Sequence, residues 1–216
     1  MKNSKFIIDK LGKLFERIRL DEQLRENTLV LVCSDNGPEL GAGVAGPFRG
    51  YKTHLYEGGI RVPFMVRGPG VNAGSVSHVP VAGYDFLATF FELAGGTGSL
   101  GDEIDGGSFC SLLNDPATVS VQRPDNALIF HRPGRYLESA IREGEYKLFV
   151  KWTPQGTIDT RELYRVHLNP TEHGHDLSQD NPERINAMEK QLLDYLTRVN
   201  AEKPEPKKVK RKRRRQ

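Results

Sequence analysis

Residues 28–70 read TLVLVCSDNGPELGAGVAGPFRGYKTHLYEGGIRVPFMVRGPG, and this stretch restricts the fold more than any other. Thr28 to Cys33 is a short apolar run, rich in β-branched residues, which fits a buried parallel strand. Such a strand would bury Cys33 as a small hydrophobe rather than present it as a reactive thiol. Asp35-Asn36-Gly37 closes the run. Residues 37–50 then hold five glycines and two prolines, the composition of a loop. Arg49, Lys52, Glu57-Gly58-Gly59 and Arg61-Val62-Pro63 follow in order. Oxygen donors at a strand end, with a lysine one loop away, suit a hard cation holding a tetrahedral oxyanion.

The surrounding chain supplies the frame. Ile7, Leu11, Leu14, Phe15 and Ile18 recur at helical spacing, which predicts an amphipathic helix over residues 5–19. Helix followed by buried strand is the pattern of an α/β sheet covered by helices. Arg61 to Arg67 reads as a second strand. Asp85 to Ala94 reads as a helix with Asp85 as N-cap and Gly95 as C-cap. After about residue 120 the pattern changes to short strands at 126–131, 137–142, 146–152 and 162–167, with a hairpin turn at Glu143-Gly144. Asn181-Pro182 opens a closing helix whose Ile185, Met188, Leu192, Leu196 and Val199 share one face. The expected organisation is an α/β part over residues 1–120, a small antiparallel sheet with a helix over 121–200, and a tail over 201–216.

Composition excludes several classes. The chain has 216 residues, 37% of them hydrophobic, with two cysteines far apart in sequence, so no disulfide framework is expected. No apolar run is long enough to span a bilayer. The first residues lead into a charged amphipathic helix, not a signal peptide. The net charge of +3 hides an asymmetry. Residues 203–216 hold nine Lys or Arg against one Glu, a charge of +8, which leaves −5 on the rest. A run of this kind repels itself and is expected to be disordered; it is a solvated tail or a contact for polyanions, with no sign of a specific nucleic-acid site.

The order Ser34-Asp35-Asn36-Gly37, Gly50-Tyr51-Lys52 and Glu57 to Pro63 resembles the later half of the sulfatase family, within the alkaline-phosphatase-like superfamily. Further along, the helix ending near Gly96, the turn Asp105-Gly106-Gly107-Ser108, Glu145-Tyr146-Lys147-Leu148 and Glu162-Leu163-Tyr164 continue the likeness, which covers roughly residues 5–200. The resemblance implies an α/β fold: a partial alkaline-phosphatase-like sandwich with a small C-terminal antiparallel sheet plus helix. It implies calcium-dependent hydrolysis of sulfate esters, with a sulfated carbohydrate as one possible substrate. The family's C-x-P-S-R or S-x-P-S-R segment, whose Cys or Ser becomes the formylglycine nucleophile, does not occur in this sequence. The chain therefore resembles the C-terminal part of a sulfatase and is expected to be incomplete alone. A phosphatase or phosphodiesterase of the same superfamily, and a non-catalytic polyanion-binding remnant, are the rival readings.

By this resemblance Asp35 and Asn36 are calcium ligands and Lys52 is the catalytic contact to sulfate. A bare Asn-Gly is most often only a turn; Lys52 and E-G-G-x-R-x-P in register favour the ligand reading. Lys52 would act as a point charge on the transferring group. Arg49 reads equally as an anion contact or as a structural residue. His54 lies at the site rim, and His131 is the candidate substrate contact from the second part. Glu57 and Arg61 more often fix a loop than touch substrate. His173-Gly174-His175-Asp176 lacks further ligands nearby and reads as a polar loop.

Overall fold

The computed structural model describes residues 2–115 and 117–204, with side chains from Asp9 onward. Most of the basic tail, from residue 205 on, lies outside the described residues. The described residues form two compact units, one of residues 2–34 and 63–121 without 116, the other of residues 35–62 and 122–204.

In the first unit, α1 (Lys2–Leu20) and the short α2 (Glu22–Asn27) lead into β1 (Val30–Cys33). Asp21 caps α2, its carboxylate accepting from the Leu24 N–H at 3.1 Å. The strand differs from the sequence expectation. It pairs antiparallel with β2 (Phe64–Arg67), in the register Val30↔Arg67 to Cys33↔Phe64. Cys33 is exposed, as are the ladder partners Val32 and Met65. A parallel strand is buried only when neighbours and helices cover both its faces, and this ribbon has two strands among the described residues. α4 (Asp85–Leu93) appears where the apolar spacing places it, with Gly95 in a left-handed conformation just past its end. Asp85 is not its N-cap; Tyr84 is. The fully buried Asp85 carboxylate instead accepts from Ala82 N at 2.7 Å and Gly107 N at 3.0 Å, fixing the Asp105–Ser108 turn ahead of α5 (Cys110–Asn114).

In the second unit, β3 (Leu128–Arg132), β4 (Glu138–Glu143), β5 (Tyr146–Trp152) and β6 (Ile158–Arg165) form an antiparallel sheet in sequential order, closed by α6 (Pro182–Arg198). The alternation along β5 assigns its two faces. Leu148, Val150 and Trp152 pack with Ile185, Met188 and Leu192 of α6. Lys147 and Phe149 point to the other side, where Phe149 meets Leu55, Tyr56 and Ala140. The Tyr56 and Phe149 rings stack at 4.2 Å. The segment 35–62 is thus a third layer on this sheet, opposite α6, and it contains the short helical turn α3 (Glu57–Ile60).

A buried ionic cluster fastens this layer. Lys147 Nζ lies 3.1 Å from Glu57 Oε1 and 2.8 Å from Glu172 Oε1, and all three side chains are at most 2% exposed. The Glu172 contact lacks hydrogen-bond geometry and is electrostatic; the other Glu172 oxygen accepts from the Glu57 backbone N–H. Arg61 Nη1 donates to Glu57 Oε2 at 3.3 Å, and Arg142 adds a contact at 3.9 Å. Burial pushes the Glu172 carboxyl above its ordinary range, against the pull of Lys147. Burial likewise lowers the Arg142 guanidinium, against the pull of Glu57. The loop backbone is also interlocked. Gly37 N donates to Gly59 O at 2.9 Å, and a Cβ on Gly59 would stand 2.0 Å from the His54 carbonyl oxygen.

Lys147→Met leaves two buried carboxylates without their shared cation and is expected to cost about 3–5 kcal/mol in urea unfolding. A raised carboxyl in the folded state contributes stability that is complete below the unfolded pKa and is lost as pH rises through the folded one. Stability from Glu172 therefore falls as pH climbs from its ordinary value of 4.5. Glu172→Gln should flatten that part of the pH–stability curve. Gly59→Ala drives a methyl group into backbone that cannot yield, and is expected to cost about 3 kcal/mol, the upper end of overpacking penalties.

Candidate active-site loop

The motif residues converge because glycines let three loop segments touch. Lys52 N donates to Pro38 O at 2.8 Å, tying the Gly-Tyr-Lys loop to the segment after Asp35-Asn36-Gly37. The Gly37–Gly59 bond ties that same segment to Glu-Gly-Gly, and Gly58 N donates to Arg49 O at 2.8 Å. Three short motifs of one loop segment thus form a backbone knot, anchored from beneath by Lys147 and Glu172.

Asp35 is exposed on this knot and Asn36 is half-buried. Asp35 Oδ1 accepts from the Asn36 backbone N–H at 3.0 Å and from its amide Nδ2 at 3.1 Å. That amide nitrogen also donates to Gly37 O at 3.2 Å, so the amide oxygen is the atom suited to a cation. The donor chemistry, a carboxylate beside an amide, fits a hard cation, although such an ion takes six to eight oxygens. No group of three or more His, Cys, Asp or Glu side chains is arranged for a metal among the described residues. His173 and His175 are exposed, and the Asp176 carboxylate accepts from Leu163 N, Ser178 N and Ser178 Oγ.

Lys52 is half-buried on the loop. Its neighbour Thr53 has φ +87°, a left-handed conformation that is strained for a β-branched residue. The Thr53 hydroxyl oxygen is buried without a hydrogen-bond partner among the described residues. Strain and an unsatisfied hydroxyl therefore coincide between Lys52 and His54, the kind of cost that functional loops retain.

The remaining candidates are held by partners that sequence reasoning missed. Arg49 donates to Glu162 Oε2 at 2.6 Å and to the Tyr164 hydroxyl at 3.1 Å, and its guanidinium lies 3.8 Å from the Tyr56 ring centroid. Burial is the largest single influence and opposes the Arg49 charge, but the Glu162 hydrogen bond together with the electrostatic pull of Tyr56, Glu162 and Tyr164 holds the guanidinium above its ordinary value. Burial, reinforced by the Glu162 charge, raises the Tyr56 hydroxyl. His54 Nδ1 is 3.2 Å from Glu138 Oε1, whose other oxygen accepts from Leu55 N at 3.1 Å. His131 lies between Ser139 Oγ and the Glu202 carbonyl, both at 2.7 Å. The Glu202 carbonyl only accepts, so His131 Nε2 donates to it, and Trp152 Nε1 donates to the same Ser139 oxygen at 2.7 Å. Lys147 in the apolar run Tyr146 to Val150 was the one readable signal of these supports, because a lysine inside a buried strand needs partners. Glu162 stood in the Glu162-Leu163-Tyr164 motif without any sign of its partner, and nothing in sequence marked Glu138 or Glu172.

The family model described as Sulfatase matches residues 9–96. A sulfatase of Formosa agariphila is 31% identical over 191 residues, covering 82% of this chain and 32% of its own length. The human N-acetylgalactosamine-6-sulfatase is 34% identical over 155 residues, covering 68% of this chain and 28% of its own. The crystal structure of Ps i-CgsB in complex with k-i-k-neocarrahexaose superposes with a TM-score of 0.68 at 27% identity, covering 85% of this chain and 39% of that one. The chain spans about a quarter to a third of the length of the relatives it matches in sequence. The motif order, the loop knot and these likenesses agree: the chain belongs to the sulfatase family and carries part of its alkaline-phosphatase-like fold.

Proposed function

We propose that residues 35–62 form the cation- and sulfate-contacting loop of a sulfate-ester hydrolase. The observation that carries this reading is the backbone knot, which brings Asp35-Asn36 and Lys52 onto one loop cluster through Lys52 N–Pro38 O and Gly37 N–Gly59 O. A hard divalent cation, calcium by the family resemblance, would be held by the Asp35 carboxylate and the Asn36 amide oxygen. When bound, it would neutralise charge on the sulfate oxygens. Two oxygens are a minority of such an ion's shell, so the other ligands come from outside the described residues, as does the formylglycine nucleophile.

The part played by this chain is electrostatic and positional. The Lys52 ammonium neutralises charge that develops as the sulfur–oxygen ester bond breaks. The strained Thr53 holds that lysine in a loop with little freedom to relax. His54, oriented by buried Glu138, contacts the substrate at the rim. Arg49, through Nη1, and His131 also brace the loop and the sheet, and remain proposed contacts for the substrate anion.

With the sulfate-ester hydrolase, Lys52→Ala should lower turnover roughly 10²–10³-fold, the usual cost of deleting one oxyanion donor, with an unchanged melting temperature. Unchanged turnover removes Lys52 from the chemistry. Asp35→Ala should weaken calcium affinity, read by terbium luminescence, by about tenfold or more, because ligand charge sets affinity. A phosphate ester hydrolysed in preference to the matched sulfate ester would move the reading to phosphoryl chemistry.

A further inference from the structure

Next to Lys52 in the loop, Tyr51 and His54 belong to a cluster of aromatic rings and cations. The Tyr51 and His54 rings meet edge to face at 4.7 Å, and His54 meets Tyr136 in the same way at 4.9 Å. Tyr136 sits in the β3–β4 turn, where Leu137 adopts φ +55°, a left-handed conformation uncommon for a residue with a side chain. Two guanidinium groups share the Tyr136 ring, Arg132 at 4.6 Å and Arg135 at 5.5 Å from its centroid. Among the described residues, no carboxylate lies within ion-pair distance of Arg132, Arg135 or Lys52. Tyr51, His54, Arg132 and Tyr136 are half-buried, and Arg135 is exposed.

This combination is not what stability alone selects. Two like charges on one ring repel each other, and a cation–π contact at an exposed site returns only about 0.5–1 kcal/mol without neutralising either charge. An anion reaching both guanidiniums would relieve the repulsion, since the planar guanidinium fork matches tetrahedral oxyanions. The rings supply broad, partly wet apolar area of the kind that accepts the C–H face of a sugar. Glu138 is the ladder partner of Arg132, but its buried carboxylate contacts His54 Nδ1 and accepts from Leu55 N, and among the described residues it makes no ion pair with either guanidinium.

We infer that Tyr51, His54, Tyr136, Arg132 and Arg135 form a subsite for a sulfated saccharide, in which the rings pack on a sugar face and the two arginines take a second sulfate or a uronate. This deepens the reading of Lys52 as a sulfate contact and rests on it. The subsite selects sugars that carry an anionic group beyond the one at Lys52.

The test is protein-observed NMR on the full chain. It is titrated with a chondroitin 6-sulfate tetrasaccharide, its chemically desulfated form, and inorganic sulfate. The sulfated tetrasaccharide should shift the ring signals of Tyr51 and Tyr136. Its affinity should fall at least tenfold in Tyr136→Ala and in the double variant R132Q/R135Q. The desulfated form, which keeps its uronates, should bind the parent at least tenfold more weakly than the sulfated form and lose a smaller factor in R132Q/R135Q, because one kind of anionic group remains for the arginines. Tetrasaccharide affinity unchanged in both variants overturns the subsite, and in that case binding resides elsewhere, the basic tail included. The underlying reading is judged separately by inorganic sulfate. If sulfate shifts Lys52 while the tetrasaccharide leaves the rings unmoved, the subsite fails and the Lys52 reading stands. If the tetrasaccharide shifts the rings while sulfate leaves Lys52 unmoved, the subsite stands and the Lys52 reading fails.

Discussion

Lys147 is an ammonium with no exposed surface, placed between two carboxylates from segments far apart in the chain. Burying three ionised groups is expensive, and their mutual attraction offsets the desolvation only when the geometry is maintained. The cluster is therefore a poor source of net stability and a strong source of specificity. A loop that slipped by one residue would leave a bare charge in the core. The Glu-Gly-Gly turn is held in one register by that penalty, and through the Gly59 carbonyl the hold passes to Gly37 and the neighbouring Asp35-Asn36 pair.

The glycines make the same point by the opposite means. They contribute no contacts of their own, yet they allow backbone to approach backbone at distances a Cβ forbids. With the loop closed from beneath by charges and from within by glycines, the chain can tolerate a strained Thr53 and its unpartnered hydroxyl next to Lys52. Such strain persists where the surroundings over-determine the conformation. The rigid support and the strained residue are complementary parts of one loop that presents charge to an oxyanion.

The first unit shows a different balance. Its two-stranded ribbon leaves Val32 and Met65 exposed as ladder partners, and Leu87, Phe90 and Leu93 of α4 are about half exposed. In the second unit, by contrast, α6, the sheet and the motif loop bury β5 on both faces. The well-packed part of the described chain is the part that carries the motif loop.

Much of the architecture was legible because periodicity reports which face of an element is buried. The α6 face from Ile185 to Leu196, the hairpin at Glu143-Gly144 and three strands of the C-terminal sheet were legible from spacing, and the order of the loop motifs marked the family; the fourth strand begins at Ile158 rather than at 162, and Val199 lies beyond α6 and is exposed. The direction of β1 was not legible, since an apolar run of six residues carries no information about its neighbours, and the ribbon made Cys33 an exposed thiol. Asp85 likewise looked like a helix cap, because a carboxylate beside a helix start is ambiguous until the turn it anchors is known. Sequence by itself determined the elements and the residue types offered to the site. The tertiary structure alone decided that Glu57 pairs with Lys147 and Glu172, Arg49 with Glu162, and His54 with Glu138. Those choices depend on which buried charges meet across 84 to 115 residues of chain, and no local pattern encodes the cost of leaving one of them alone.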